Sequence, residues 1–184
     1  TDPDHLDIYG TKEAYLESFR HYTELIQPGG ALIIHTNLEM EANVQEGVKT
    51  YTYSRDAGDF HAENIIIENG EITFDFISPV ECIKGVQLGQ PVPINIENGV
   101  AAMAMAQLNG CTANELKFGM KTYHGVDRRF DFKIRNNRHV YLSDYAHHPQ
   151  EILQSAKSLK ELYANRKITA IFQPHLYSRT HDFY

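Results

Sequence analysis

The chain has 184 residues, of which 42% are hydrophobic and 22% charged, so it holds enough apolar side chains for a packed core. This composition excludes intrinsic disorder, a collagen-like repeat and a coiled coil. The formal net charge is −7, which argues against general nucleic-acid binding because phosphate contacts need clustered Lys and Arg. The length predicts one domain or two small ones.

The sequence predicts a non-secreted, cytoplasmic protein with no membrane partner. No apolar run approaches the roughly 20 residues that cross a bilayer, and residues 1–10 lack the basic and apolar segments of a secretory signal. Cys82 and Cys111 lie far apart without CxxC spacing. We therefore expect both cysteines to be reduced.

The first half of the chain predicts a helix, a strand and a β-rich stretch. Apolar residues recur at i, i+3 and i+4 in residues 12–27, as in an amphipathic helix that a Pro-Gly-Gly turn ends. Residues 31–35 (ALIIH) fit a buried strand. Residues 48–96 are β-rich, with Asn69-Gly70 as a hairpin turn, so we expect an antiparallel meander or edge there.

Two helices and a second β–α–β unit are predicted further along. The Ala- and Met-rich residues 99–110 predict a helix, and Thr112 with Glu115 forms a capping box that begins another. The pattern restarts after His124-Gly125 with a hairpin.

We then expect a helix at residues 149–163, with Pro149 in its first turn, and a strand at residues 168–174. The predicted fold class is α/β, with a boundary between residues 123 and 124.

Two polar clusters flank predicted elements. Asp2, Asp4, His5 and Asp7 could hold a divalent cation, although a solvated acidic turn before a helix is an equal interpretation. The segment DYAHHP (144–149) follows an apolar strand and opens a helix, a place where open α/β sheets bind ligands and helix amides attract anions. Its alternative is a helix N-cap beside one buried His.

Three further sets of residues suit ligand binding. Arg128 and Arg129 could clamp a phosphate from one domain onto another, or lie on the surface. In QPHLYSRT (173–180) an arginine could bind a carboxylate and a histidine could exchange a proton. Asn95 and Asn98 could read an adenine-like edge, whereas Asn98 also fits a plain N-cap.

Five stretches together resemble the Mur ligase family: DPDHLDIYGT, NIENGVAAMAMA, GVDRRFDF, DYAHHPQEI and FQPHLYSRT, in the family's order. The last two are similar to the alanine-adding members. The resemblance implies a partial P-loop ATPase-type central domain (1–123) followed by a partial Rossmann-like C-terminal domain (124–184). It further implies an ATP-dependent amide ligase of peptidoglycan biosynthesis that uses Mg²⁺ or Mn²⁺ and joins L-alanine to UDP-N-acetylmuramate through an acyl phosphate.

The resemblance also implies roles for individual residues. These are a metal ligand for His5; adenine contacts for Asn95 and Asn98; phosphate contacts for Arg129 and the neighbouring Arg128; a ribose contact for Asp144; and catalytic positions on the amino-acid side of the cleft for His147, His175 and Arg179.

The sequence departs from the family pattern at several points. No GxxGKS or GxxGKT loop is present, Ile94 replaces a usual His, and Leu176 replaces a frequent basic residue. We therefore expect a fragment that is inactive by itself and whose open sheet edges would allow a dimer. The competing hypothesis is a stand-alone metal-binding α/β phosphoesterase-like protein that uses Asp4, His5, Asp7 and His147.

Overall fold

The computed structural model describes residues 6–38, 40–68 and 70–173, with the side chains of residues 6 and 7 left out. The helices are α1 (Leu6–Tyr9), α2 (Lys12–Glu24), α3 (Ile94–Leu108), α4 (Ala113–Thr122) and α5 (Pro149–Leu162). The strands are β1 (Ala31–His35), β2 (Lys49–Tyr53), β3 (His61–Glu68), β4 (Glu71–Ile77), β5 (Cys82–Gln87), β6 (Asp131–Arg135) and β7 (Val140–Ser143). The predicted α/β class is confirmed.

The helix predicted at residues 12–27 forms as α2, which ends at Glu24, and the strand predicted at residues 31–35 forms as β1; the short helix α1 was not predicted. Thr11 caps α2 by accepting a hydrogen bond from the Ala14 amide at 3.1 Å. The apolar face of α2 remains largely exposed in the described structure, with Tyr22 68% and Leu25 58% accessible. Strand β1 pairs in parallel with β2, so this part of the predicted antiparallel region is wrong.

Strands β3, β4 and β5 form the predicted antiparallel meander. Glu68 pairs with Glu71 across the first hairpin, in which Gly70 has a φ of +77°. A positive φ is readily adopted by glycine because it lacks a Cβ, which explains why the Asn-Gly signal predicts this turn. Asn69 itself lies outside the described residues.

The core lies between the meander and α3. Phe60 and Phe76 stack at 6.0 Å between ring centroids, and both are almost fully buried. Helix α3 adds Val100 and Met103 to this core, whereas α4 packs against β5. Each large aromatic side chain buries about 150–250 Å², so the Phe60 and Phe76 pair contributes strongly to the core.

The second unit consists of the predicted hairpin and helix. Strands β6 and β7 are antiparallel, and α5 begins at Pro149 as expected. The predicted strand at 168–174 is wrong for residues 168–173, which form no regular structure. Ile171 is 97% exposed, and a strand is stabilised only where a neighbour completes its hydrogen bonds.

The two units touch at several points. Arg135 donates to the Gly70 carbonyl oxygen at 2.5 Å, and Leu162 of α5 packs against the core of the first unit. Helix α4 ends at Thr122, one residue before the predicted domain boundary, which stays a prediction. In the described part of the chain, no helix has the length and apolar character to span a membrane.

Candidate functional site

A cleft of about 460 Å³ lies where α3, the segment after α4 and the start of α5 meet. Four residues predicted to bind a cofactor line it: Asn95, Asn98, Arg129 and Asp144. Its volume falls in the range of small-molecule sites. The structure therefore brings together predicted residues as far apart in the sequence as Asn95 and Asp144, which are separated by 49 positions.

Asn95 and Asn98 form the wall contributed by α3. The side-chain Nδ2 of Asn95 donates to the Gln90 carbonyl oxygen at 3.3 Å, and Nδ2 of Asn98 donates to Asn95 Oδ1 at 3.3 Å. Residues three apart share one helix face, which is why both line the cleft. A carboxamide carries two N–H donors and one acceptor oxygen, so Asn98 retains hydrogen-bonding capacity for a ligand.

The beginning of α3 differs from the prediction. The helix starts at Ile94 instead of residue 99, with Pro93 as an N-cap without a side-chain cap. The interpretation of Asn98 as a plain N-cap is therefore wrong, since this residue lies inside the helix. Its displacement from the cap is what places Asn98 on the cleft wall.

Glu97 fixes the first turn of α3 against the carboxyl ends of β1 and β2. Its Oε2 lies 3.3 Å from His35 Nε2 and accepts the Arg55 amide at 3.2 Å. Burial is the larger of two causes that raise the pKa of the Tyr53 hydroxyl, and the negative charge of Glu97 is the smaller one. These contacts hold the helix turn from which the two asparagines project.

Arg129 lies on the opposite wall, in a turn between α4 and β6. The neighbouring Arg128 and Phe130 have φ values of +62° and +47°, a conformation that side-chain-bearing residues adopt at an energetic cost. Arg129 Nη1 donates to Glu151 Oε1 at 3.2 Å. The Arg129 side chain is 59% exposed, and its guanidinium carries further donors that suit a phosphate.

Arg128 has a backbone role in the structure. Its amide donates to Asp131 Oδ2 at 3.1 Å, and its carbonyl accepts the Tyr145 amide at 2.6 Å. These bonds tie the turn to the end of β7. The residues that line the described cleft include Arg129 but do not include Arg128.

Asp144 follows β7, and its two oxygens accept hydrogen bonds from the segment before α5 and from within α5. Oδ1 accepts the Ala146 amide at 3.1 Å, and Oδ2 accepts the Ser155 hydroxyl at 2.5 Å. The N-cap of α5 is His148, whose Nδ1 accepts the Gln150 amide at 3.4 Å. The N-cap interpretation of this segment thus holds for His148 and not for Asp144.

Glu151 completes the capping box of α5, lines the cleft and contacts Arg129. Burial is the largest single effect on the Glu151 pKa and raises it. Hydrogen bonds from the backbone amides of His147 and His148, together with the charges of His147 and Arg129, outweigh burial. The pKa therefore lies below its ordinary value of 4.5. An ionised Glu151 can therefore hold the Arg129 guanidinium at neutral pH.

His147 lies beside the cleft without being among its lining residues. Its Nδ1 is 3.0 Å from the Tyr145 carbonyl oxygen and 3.6 Å from Glu151 Oε2. His175 and Arg179, the other two predicted catalytic residues, lie outside the described part of the chain, as do Asp2, Asp4 and His5.

No three His, Cys, Asp or Glu side chains within the described ranges converge into a group that could hold a metal ion. Cys82 and Cys111 are both free and exposed.

The polar cleft residues that the sequence did not predict as site residues include Gln90, Tyr123, Glu151 and Ser155. Glu151 had a detectable signal, because it lies three residues after the N-cap, as in a capping box. Tyr123 has an exposed ring, 49% accessible, that could stack on a planar group. The positions of Gln90 and Ser155 depend on tertiary contacts that no local pattern encodes.

The arrangement of these elements matches a fold found in several solved ligases. The UDP-N-acetylmuramate-alanine ligase of Thermotoga maritima matches with a TM-score of 0.78 at 23% identity, over 95% of this chain and 40% of that one. MurF of Acinetobacter baumannii matches with a TM-score of 0.67 at 18% identity, over 89% of this chain and 35% of that one. The FPGS–AMPPCP complex matches with a TM-score of 0.67 at 17% identity, over 88% of this chain and 41% of that one. The class of protein is therefore an α/β protein of this ligase fold.

Residues 1–106 match the family model of the Mur ligase middle domain. The chain belongs to the Mur ligase family. It is 67% identical to the UDP-N-acetylmuramate--L-alanine ligase of Phocaeicola vulgatus over 184 residues, all of this chain and 40% of that protein. The enzyme of the same name from Porphyromonas gingivalis is 47% identical, over all of this chain and 41% of that protein. The chain thus spans about two fifths of the length of these relatives.

Proposed function

We propose that this chain forms the nucleotide-binding cleft of an ATP-dependent ligase that joins L-alanine to UDP-N-acetylmuramate in peptidoglycan synthesis. The observation that carries the proposal is the cleft that collects Asn95, Asn98, Arg129 and Asp144. Support for the two substrates comes from the similarity to ligases of that name, at up to 67% identity among those given above. The proposed compartment is the cytoplasm.

Each wall of the cleft has a distinct proposed task. Asn95 and Asn98 would hydrogen-bond the edge of adenine, while the exposed ring of Tyr123 would stack on its face. Asp144 would accept a hydrogen bond from a ribose hydroxyl. Arg129 would donate to the terminal phosphate, because a planar guanidinium offers paired donors to phosphate oxygens. Arg128 would support that contact through the turn it shares.

The proposed reaction has two steps. A carboxylate oxygen of the muramate attacks the γ-phosphorus of ATP, and ADP leaves with the bond electrons, which gives an acyl phosphate. The alanine amine then attacks the acyl carbon, phosphate leaves, and the nitrogen loses a proton to give the amide. Arg129 would stabilise the charge that develops on the transferring phosphoryl group.

The remaining predicted residues keep their roles as proposals. His147, His175 and Arg179 would face the amino acid, and His5 would bind Mg²⁺ or Mn²⁺. No group of three or more His, Cys, Asp or Glu side chains that could hold this ion occurs among the described residues. Membership of the family favours the ligase over the stand-alone phosphoesterase-like protein.

Calorimetric titration with AMPPCP, a non-hydrolysable ATP analogue, tests the proposal. We expect saturable binding by the 184-residue chain. Asn98→Ala should weaken it about fivefold, because one lost hydrogen bond costs about 1 kcal/mol. The matched control is Asn109→Ala at the other end of α3, where the side chain bonds the Met105 carbonyl, and it should bind as wild type does. Absence of saturable heat, or equal losses in both variants, would contradict a base site at Asn98.

A further inference from the structure

Gln90 lies at the point where the two walls of the cleft join. We propose that Gln90 is a positioning residue that sets the place of Arg129 relative to the asparagines of α3. This inference rests on the proposed nucleotide site and adds a residue that contacts both walls through separate atoms.

The contacts of Gln90 reach one wall through its side chain and the other through its backbone. Its Nε2 donates to the Phe130 carbonyl oxygen at 2.7 Å, in a buried hydrogen bond between residues 40 positions apart. Its backbone carbonyl oxygen accepts a hydrogen bond from the Asn95 side-chain Nδ2 at 3.3 Å. A single residue, only 8% exposed, thus holds the Arg129 turn and orients Asn95.

The backbone at Gln90 has little freedom to move. A Cβ on the preceding Gly89 would lie 2.3 Å from the Lys121 carbonyl oxygen and 2.4 Å from that of Tyr123. The Gly89 amide donates to the Met120 carbonyl at 2.9 Å, so the loop is pinned against the end of α4. Because these contacts come from backbone atoms, they fix the point from which the Gln90 side chain extends.

The side chain of Gln90 is confined as well. A Cβ on Gly125 would lie 3.2 Å from its Cδ, so the carboxamide passes close to the segment that leads into the Arg129 turn. Its target, Phe130, is 7% exposed and has a φ of +47°. Such a backbone conformation persists only where surrounding contacts enforce it. The bond from Gln90 is a buried contact of this kind.

The other polar contacts that could fix the Arg129 turn, within the second unit or between the units, are more exposed to solvent. The Arg129–Glu151 pair has side chains 59% and 35% accessible, and Arg135 reaches Gly70 at an exposed position. Exposed ionic contacts contribute little and are screened by salt. The buried Gln90 bond is therefore expected to dominate the placement of the Arg129 turn relative to the asparagines of α3.

The test compares Gln90→Met in two backgrounds by AMPPCP titration. Methionine keeps the length of the side chain but removes the donor, which leaves the Phe130 carbonyl without it. In the wild-type background we expect about tenfold weaker binding. In the Arg129→Ala background we expect less than about a twofold effect, because the group that Gln90 positions is already absent. The matched control is Gln107→Met near the far end of α3. This variant removes a side-chain hydrogen bond from Gln107 to Glu81 and should bind AMPPCP as wild type does.

A second measurement needs no nucleotide. In Gln90→Met, hydrogen exchange of the Arg129 amide, which donates to the Val126 carbonyl at 3.2 Å, should accelerate. Exchange in strands β3 to β5 should stay unchanged, which also shows that the variant is folded. Gln90→Asn, whose shorter amide does not span to Phe130, should behave in the same way.

The outcomes separate this inference from the proposed function. Equal loss of affinity in both backgrounds would reveal a general structural effect and overturn the positioning role, as would unchanged binding or unchanged Arg129 exchange. If wild type itself fails to bind AMPPCP, the nucleotide site is wrong and the positioning role falls with it. Binding by wild type with no effect at Gln90 overturns this inference alone.

Discussion

Asp144 is held in place by hydrogen bonds that leave it able to meet a ligand. It accepts the Ala146 amide through one oxygen and the Ser155 hydroxyl through the other. A carboxylate has about four acceptor positions on its two oxygens, so these bonds orient the group without saturating it. Ser155 therefore acts at the site by fixing the direction of Asp144.

Ser155→Ala should lower the free energy of unfolding by about 1.5–3 kcal/mol, the usual contribution of a hydrogen bond to a charged group. Urea denaturation followed by circular dichroism measures this value. The matched control is Ser18→Ala on α2, where the hydroxyl bonds the Ala14 carbonyl at an exposed position, and it should change the free energy by less than about 0.5 kcal/mol. Similar losses in both variants would contradict the role given to Ser155.

At the scale of elements, the sequence predicts those whose signals are local. The capping box of Thr112 and Glu115 forms at α4, and Pro149 begins α5. Both depend on residues within one helical turn, so the sequence contains the whole signal. Four cleft residues were likewise predicted by type and motif, although the sequence did not show that they meet.

Elements that depend on distant partners were predicted less well. The parallel pairing of β2 with β1 and the lack of a strand at residues 168–173 are set by which segments lie next to them. The early start of α3 accompanies the Glu97 contacts to His35 and to the Arg55 amide. Gln90 could not be predicted because its partner, Phe130, is 40 residues away.

Two glycines next to or within α4 should respond oppositely to alanine. A Cβ at Gly89 would overlap backbone oxygens of Lys121 and Tyr123, so Gly89→Ala should destabilise the protein by about 1–3 kcal/mol. Gly119 lies inside α4 with nothing within 4 Å of a Cβ, so Gly119→Ala should stabilise it by about 0.5–1 kcal/mol. Urea denaturation of both variants checks the signs. A neutral or stabilising Gly89→Ala would mean that the loop is not pinned against α4.

On the scale of the whole molecule, several carboxylates are stabilised in their charged form by folding. The Thr52 amide is the largest cause that lowers the pKa of Asp59 below its ordinary value of 3.8. The Asn64 side-chain amide is the largest cause that lowers the pKa of Asp75. Glu151 also has a lowered pKa, so acid weakens contacts both in the first unit and at the cleft.

Stability should therefore fall at acid pH. A carboxyl whose pKa is lower in the folded than in the unfolded state stabilises the fold fully above its unfolded pKa and loses this contribution as pH falls through the folded pKa. With ordinary values of 3.8 for Asp59 and 4.5 for Glu151, the urea midpoint should decrease as pH drops below about 4.5. A midpoint that is constant or rises from pH 5 to pH 3 would contradict these shifts.

Residues of both units line the cleft, and the proposed function requires that a nucleotide binds there. The most direct measurement is backbone NMR shift mapping of the chain during titration with AMPPCP. We predict that the largest shifts fall in three segments: residues 94–98, 123–130 and 144–155, which form the cleft walls. Shifts confined to other segments, or no saturable shifts, would show that the nucleotide does not bind in this cleft.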